Sequence, residues 1–349
     1  MSTLGIGLIG CGRVAQRVHL PILTGLPGVR LVAVAETDPQ LREQARRVGE
    51  CRAVAEYEGL LDMPDLQAVV VCVPSGLHAA VAVAALDRGK HVYLEKPLAT
   101  TQDEARSVLS AVERANTFGM IGFNCRFNRA YRELKRCMRS KRHGESVAAR
   151  SVLTAPEETL PDWKRSRESG GGALLDQASH HFDLMRFLFE DEIQEVTAQL
   201  SSQRSEDDTA TVQVRLAGGL AIQSLVSINT VNEDRFEIYT ERARLSVDRY
   251  RSPGVEIVTD SYMLPGLHGV RSAFRSLKHA GRTWETYRSP AREPSFRSAL
   301  AHFVDSVREG QPPSPSFHDG YLSLAAVVAA EESARSGRVV RLNDGTQPV

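Results

Sequence analysis

Apolar residues along the chain come in short runs, spaced by stretches whose apolar positions recur at helical intervals. The first run is Leu4-Gly5-Ile6-Gly7-Leu8-Ile9, followed by a glycine turn, a helical stretch and Pro21. A second run, Val29–Ala35, ends at Glu36, and the pattern predicts a helix over Asp38–Val48. Val54 is read as the start of a short strand, and Tyr57–Leu61 as a short helix. Ala68–Val73 is a β-branched run closed by Pro74-Ser75-Gly76; an alanine-rich helix over His78–Arg88 stops at Gly89, and His91–Leu94 is a further strand. Strands alternating with helices predict a parallel, doubly wound α/β sheet. The later chain reads differently. Val147–Leu153, Glu195–Leu200, Thr211–Leu216, Leu220–Ile228, Phe236–Thr240 and Arg244–Val247 alternate in polarity, and Ala217-Gly218-Gly219 marks a hairpin turn. That pattern predicts a second α/β domain with a largely antiparallel open sheet.

Length agrees with two domains: 349 residues against about 100–200 per domain. The expected division is residues 1–123 and 124–349, with the last helix packing back on the first domain. Lys plus Arg and Asp plus Glu are 43 each, a balance that argues against a nucleic-acid-coating protein. The longest apolar runs, Ala68–Val73, Ala79–Leu86 and Leu324–Ala330, are far short of the roughly 20 residues of a membrane helix. With no secretory leader pattern, the expected location is cytoplasmic. Five cysteines without a CxxC or Cys/His cluster read as reduced thiols, and no metal site is expected.

The glycine turn carries the first chemistry. Gly10, Gly12 and Ala15 fill the three small-residue slots of a dinucleotide fingerprint, between a strand and a helix. Gly10 permits the tight turn, Gly12 lets a pyrophosphate reach the backbone, and Ala15 lets the helix pack closely. Arg13 and Val14 complete the expected cofactor-binding turn. Glu36, at the end of the second strand, can accept both ribose hydroxyls of NAD and would repel a 2′-phosphate, so NAD is expected over NADP. Pro74, Ser75, His78 and Glu95 fall at or near strand ends, where ligands sit in such sheets, and are expected near the cofactor.

These residues resemble the Gfo/Idh/MocA oxidoreductases. The resemblance rests on the fingerprint, on Val73-Pro74 with His78 close behind, and on Gly89-Lys90-His91-Val92 running into Glu95-Lys96-Pro97. It extends to Gly122-Phe123-Asn124-Cys125-Arg126-Phe127-Asn128, to Gly170–Asp176 with His180 and Asp183, and to Asp319-Gly320. It implies a Rossmann domain followed by an α/β domain with an open sheet. It further implies hydride transfer between NAD(P) and a hydroxyl or carbonyl carbon of a sugar, cyclitol or nucleotide sugar. A homodimer or homotetramer is implied too. The matching lysine lies in the family's active site, which gives Lys96 a catalytic role. The family also includes an NAD-dependent glycosidase and a non-catalytic dinucleotide-binding regulator, so both stand as alternatives.

Oxidising an alcohol requires a base for the hydroxyl proton and a donor for the developing oxyanion. Asp176, His180 and Asp183 are spaced i, i+4 and i+7, one face of a helix. Asp176 can fix the tautomer of His180, which then takes the proton, whereas His181 points about 100° away. Asp183 is read as binding a backbone group or an arginine such as Arg186. Glu95 is read as orienting Lys96 or the nicotinamide amide. Asn124, Arg126 and Trp163 are candidate substrate contacts. The basic stretch at the end of and just beyond Tyr250–Ser295 (Arg271, Arg275, Lys278, Arg282, Arg288, Arg292, Arg297) reads as a solvated helix and loop, with a contact to a phosphorylated or nucleotide-linked sugar or to a partner subunit as the alternative.

Overall fold

The computed structural model describes residues 3–156, 161–252, 254–259, 289–290, 293–343 and 347–348. They form two compact units: Met1–Asn124 with Glu168–Gly170 and Glu293–Leu324, and Cys125–Arg167 with Gly171–Arg292 and Ala325–Val349.

The first unit is built on six parallel strands: β1 (Leu4–Ile9), β2 (Val29–Ala35), β3 (Arg52–Val54), β4 (Ala68–Val71), β5 (His91–Leu94) and β6 (Gly119–Ile121). Their order is β3-β2-β1-β4-β5-β6. The strand order reverses between β1 and β4, which is where such sheets bind nucleotides. Every residue of β1 and β4 is buried, so these strands read as continuous apolar runs rather than alternating ones. Val54 closes β3 rather than opening it. β4 ends at Val71, two residues earlier than the apolar run; Cys72 still donates to the Ile9 carbonyl (2.7 Å) before the chain turns. Local chemistry sets the helix starts. The Asp38 side chain accepts from the Gln40 and Leu41 N–H groups. Thr101 and Glu104 form a reciprocal capping box ahead of the Gln102–Arg114 helix.

The second unit carries β7 (Ser146–Thr154), β8 (Ile193–Ser201), β9 (Thr209–Leu216), β10 (Ala221–Ser227), β11 (Glu233–Thr240), β12 (Ala243–Asp248), β13 (Glu256–Thr259), β14 (Val340–Asn343) and β15 (Gln347–Pro348). The order is β13-β12-β11-β7-β10-β9-β8-β14-β15. The β7–β10 pair is parallel and the remaining pairs are antiparallel. β9 and β10 form the hairpin that the glycine turn predicts, with Gly219 at φ +90°. One sheet face is covered: a wide π-type turn, Ala173–Ala178, lies against β7, β9 and β10 and continues into the Ser179–Phe189 helix. The basic positions Arg271, Arg275, Lys278, Arg282, Arg288 and Arg292 lie outside the described residues. Among the described residues, no helix is long and apolar enough to cross a membrane.

Candidate active site

In the first unit, β1 delivers the chain into the glycine turn at the point where the strand order reverses. Gly10 sits at φ +84°, and a Cβ there would lie 2.6 Å from the Cys72 carbonyl oxygen, so glycine is required twice over. At Gly12, by contrast, a Cβ would meet nothing within 4 Å. The turn therefore leaves open space over its backbone, the kind a pyrophosphate fills. Arg13 and Val14 are exposed beside it, and Ala15 is buried as helix–strand packing requires. Glu36 reaches back to this turn. Its Oε2 accepts from the Cys11 N–H (2.7 Å) and its Oε1 from the Asp38 N–H (3.0 Å). This carboxylate at the end of β2 fits the ribose hydroxyls of NAD, so the residues present fit the cofactor.

The loops after β4 and β5 are tied together from below. His78 is buried, and its two ring nitrogens face the carbonyl oxygens of Val73 (2.9 Å) and Pro97. Burial pushes its imidazole below the ordinary value, against the pull of those carbonyls. A neutral ring donates to one of them. His78 is thus a brace beneath the cofactor-side loops. Pro74 is exposed and Ser75 buried, and a Cβ on Gly170 would press 2.5 Å from the Ser75 Cβ. The Lys96–Pro97 peptide is cis. Glu95 accepts from the His19 ring (2.7 Å) through Oε1 and from the Lys96 backbone N–H (3.3 Å) through Oε2. Burial alone would raise the Glu95 carboxyl; the His19 hydrogen bond and the neighbouring Lys96 charge overcome this and hold it below its usual range. Asn124 is buried and donates to the Ser295 hydroxyl (2.8 Å).

In the second unit, the glycine run shapes the acid cluster. A Cβ on Gly171 would lie 2.0 Å from the Lys164 carbonyl oxygen, and Gly170 and Gly172 have φ of +98° and +85°. The run therefore passes tightly under the short 3₁₀ turn Asp162–Arg165. That approach brings Lys164 Nζ to 2.6 Å from Oδ1 of buried Asp176. Asp176 sits inside the π-type turn, where Ser179 N–H reaches back to the Leu174 carbonyl. The helical register assumed from the i, i+4, i+7 spacing therefore holds only from Ser179 onward. His180 lies half-buried on the following helix. Asp183 is fully buried and takes a bidentate grip from Arg126, with contacts of 2.9 Å from Nε and 2.6 Å from Nη2. The expected arginine partner is thus met by Arg126; the Arg186 guanidinium binds Glu192 (2.5 and 2.9 Å). Arg126, expected at substrate, is held by that carboxylate and lies over the Phe187 ring. The side chain of Trp163 is outside the described residues. His181 points into the interior, 3.2 Å from Asp234, which also receives Tyr131 and Arg249.

Residues 4–123 match the model of the oxidoreductase family with an NAD-binding Rossmann fold, and residues 131–246 match the GFO/IDH/MocA C-terminal domain. An inositol 2-dehydrogenase of Acidothermus cellulolyticus is 30% identical over 353 residues, covering 98% of this chain and 96% of that protein. The chain belongs to the Gfo/Idh/MocA family. A myo-inositol 2-dehydrogenase of Thermotoga maritima is 28% identical over 349 residues, covering 97% of this chain and 98% of that protein. The structure of a levoglucosan dehydrogenase in complex with NADH and levoglucosan superposes with a TM-score of 0.83 at 25% identity, over 97% of this chain and 99% of that one. As a Gfo/Idh/MocA member the chain is an NAD-dependent oxidoreductase.

Two residues that contact the candidate site residues carry no signal in the sequence reading. Lys164 was passed over as part of a polar loop, although the adjoining glycine run signalled a close backbone approach. His19 was passed over inside a helix whose π-type turn leaves no mark in hydrophobic periodicity. Among the described residues, no group of three or more His, Cys, Asp or Glu gathers to hold a metal ion.

Proposed function

We propose that this enzyme interconverts a secondary hydroxyl and the matching carbonyl on a sugar or cyclitol, with Lys96, Asp176 and His180 as its catalytic residues. The observation that carries the reading is the Glu95-Lys96-Pro97 loop, which starts at the carboxyl end of β5 and is tied to the loop after β4 through His78. NAD, when bound, takes the hydride from the carbinol carbon or returns it in the reverse direction. Gly10, Gly12, Arg13 and Val14 bind the pyrophosphate end, Glu36 accepts from the ribose hydroxyls, and Pro74, Ser75 and Glu95 lie along the nicotinamide side. The Lys96 ammonium donates to the substrate oxygen and stabilises charge as it develops there. His180 takes the hydroxyl proton. Lys164, at 2.6 Å, holds Asp176 in place. The inositol and levoglucosan dehydrogenases among its relatives support polyols with several ring hydroxyls as the substrate class. Asn124, Arg126 and Trp163 remain proposed substrate contacts, the first two acting through the protein partners already described.

Two coarser properties belong to the same reading. All five cysteines are free thiols, which fits a reducing cytoplasm. The outer face of the second sheet places Ala148, Val152 and Leu225 around the Arg150–Glu237 ion pair in neighbouring register, a surface suited to a second copy of the chain.

The test is NADH formation from NAD with a panel of inositols, anhydrosugars, aldoses and nucleotide sugars, with NADP run alongside. A saturable NADH signal from a polyol supports the reading. Consumption of a glycoside without NADH accumulating would replace it with redox-neutral glycoside cleavage. NAD binding without any turnover would favour a regulator.

A further inference from the structure

We propose that His19 is a positioning residue of the active site: its Nε2–H holds the Glu95 carboxylate at the base of the Lys96–Pro97 loop and so sets the surroundings in which Lys96 works. The proposal rests on the hydride-transfer reading above. Four observations carry it.

The first is the path of the helix. His19 is the last residue of the π-type turn Ala15–His19, which directly follows the dinucleotide turn. A π-type turn inserts one extra residue into a helix, and such turns concentrate at functional sites. Without it, residues beyond the turn would rotate by about 100°, and the ring would leave Glu95. The second is the ring's setting. It is fully buried and held edge-on by Tyr93 (centroids 5.8 Å apart) and Phe296 (6.0 Å). It therefore has one orientation, with Nε2 at 2.7 Å from Glu95 Oε1.

The third concerns the proton. Nδ1 of His19 is buried with no hydrogen-bond partner among the described residues. A neutral ring with its proton on Nδ1 would strand a buried N–H there, at a cost of about 1–3 kcal/mol, and turn the Nε2 lone pair on the carboxylate. A proton on Nε2 donates to the carboxylate instead. The fourth is the wedge around Glu95. A Cβ on Gly122 would stand 3.2 Å from the Glu95 carboxylate atoms. Glycine in the Gly122-Phe123-Asn124 segment thus leaves the room that the carboxylate occupies while His19 holds its other side. The remaining titratable groups that face Glu95 are Lys96 beside it, His78 on the His78–Asp87 helix, Cys72 after β4 and Tyr93 on β5. Burial, with Glu95 nearby, keeps Cys72 and Tyr93 protonated. Burial holds His78 neutral, with its ring turned to the Val73 and Pro97 carbonyls, so His19 is the histidine that donates a hydrogen bond to Glu95 directly.

Two measurements test this. Long-range ¹H–¹⁵N imidazole spectra of the whole protein, with the His19 signals assigned by their loss in His19→Gln, read the tautomer. The proposal requires a proton on Nε2, aimed at the carboxylate. A neutral Nδ1–H tautomer, which leaves Nε2 with no proton to donate, would overturn it. The second measurement is kcat and KM against pH for wild type, His19→Leu and His19→Gln. Loss of the donor lets the Glu95 carboxyl titrate higher. His19→Leu is therefore expected to lower kcat roughly 10-fold with KM little changed, and to move the acid limb of the profile to higher pH. Glutamine, which keeps a donor near the Nε2 position, is expected to restore both. Equal losses in the two variants, or lower melting temperatures with an unmoved acid limb, would make His19 merely structural. If the wild type turns over no polyol, the hydride-transfer reading fails, and the imidazole spectra alone decide the placement of His19.

Discussion

The two units hold their acids by different means. In the first, Glu95 is gripped by the His19 ring and a backbone N–H, and Glu36 by the backbone N–H groups of Cys11 and Asp38. In the second, Asp183 takes a bidentate arginine, Asp176 a lysine, and Asp234 an arginine together with His181 and Tyr131. Dipolar and histidine donors leave a carboxylate's charge largely available to a ligand. A cation at contact distance cancels it, and either partner left alone is costly inside a protein. The contrast agrees with the proposed roles, in which the first unit's acids serve cofactor and chemistry and most of the second unit's acids serve architecture. Asp176 stands between these roles, buried and lysine-bound but only four residues from His180.

The largest effect expected from this contrast is at Asp183. Asp183→Asn leaves the Arg126 guanidinium without its counter-charge and should cost about 3–5 kcal/mol, read as a fall in the urea midpoint with little change in slope. An unchanged midpoint would break the distinction. Acid stability comes next. Burial alone would raise the Asp234 carboxyl, but Arg249, His181 and Tyr131 hold it far below the usual carboxylate range. A depressed carboxyl contributes stability that is present above its unfolded value of about 3.9 and is lost as pH falls through the folded value. Thermal stability should therefore decline below about pH 4, and Asp234→Asn should flatten that decline while lowering stability at neutral pH. In the first unit, Glu36→Ala should leave the urea midpoint nearly unchanged. It should weaken NADH binding about 10- to 100-fold, the worth of hydrogen bonds to a charged acceptor, as read by fluorescence titration. The smallest effect is at Cys11, whose thiol burial, then Glu36 and Cys51, push up to about 12. Iodoacetamide near neutral pH should leave it unmodified in the folded protein, and labelling as fast as in urea would contradict its placement.

Legibility in the sequence follows the same division. The first unit's strands and turn were readable because buried parallel strands are continuous apolar runs and because a glycine turn has fixed spacing. Val29–Ala35, Tyr57–Leu61 and His91–Leu94 fall where the pattern put them. The antiparallel hairpin was readable from alternation and from Gly218-Gly219. What escaped notice depends on contacts distant in sequence. Asp183 pairs with Arg126, 57 residues away, and no helical spacing could indicate that. His181 looked secondary because it points away from His180, and that direction is what delivers it to Asp234. The two π-type turns, Ala15–His19 and Ala173–Ala178, shift register by one residue at both ends of the proposed chemistry. A 3.6-residue period is blind to that shift.

The central claim is that Lys96 acts on the reacting oxygen while the glycine turn and Glu36 bind the cofactor. It is tested most directly by measuring, on Lys96→Met, both the NADH dissociation constant and kcat with the best polyol substrate. The account predicts NADH affinity within about twofold of wild type and kcat lower by roughly 10²- to 10³-fold, the scale of removing one donor from a developing oxyanion. A kcat within a few-fold of wild type, or a loss of turnover explained wholly by lost NADH binding, would contradict it.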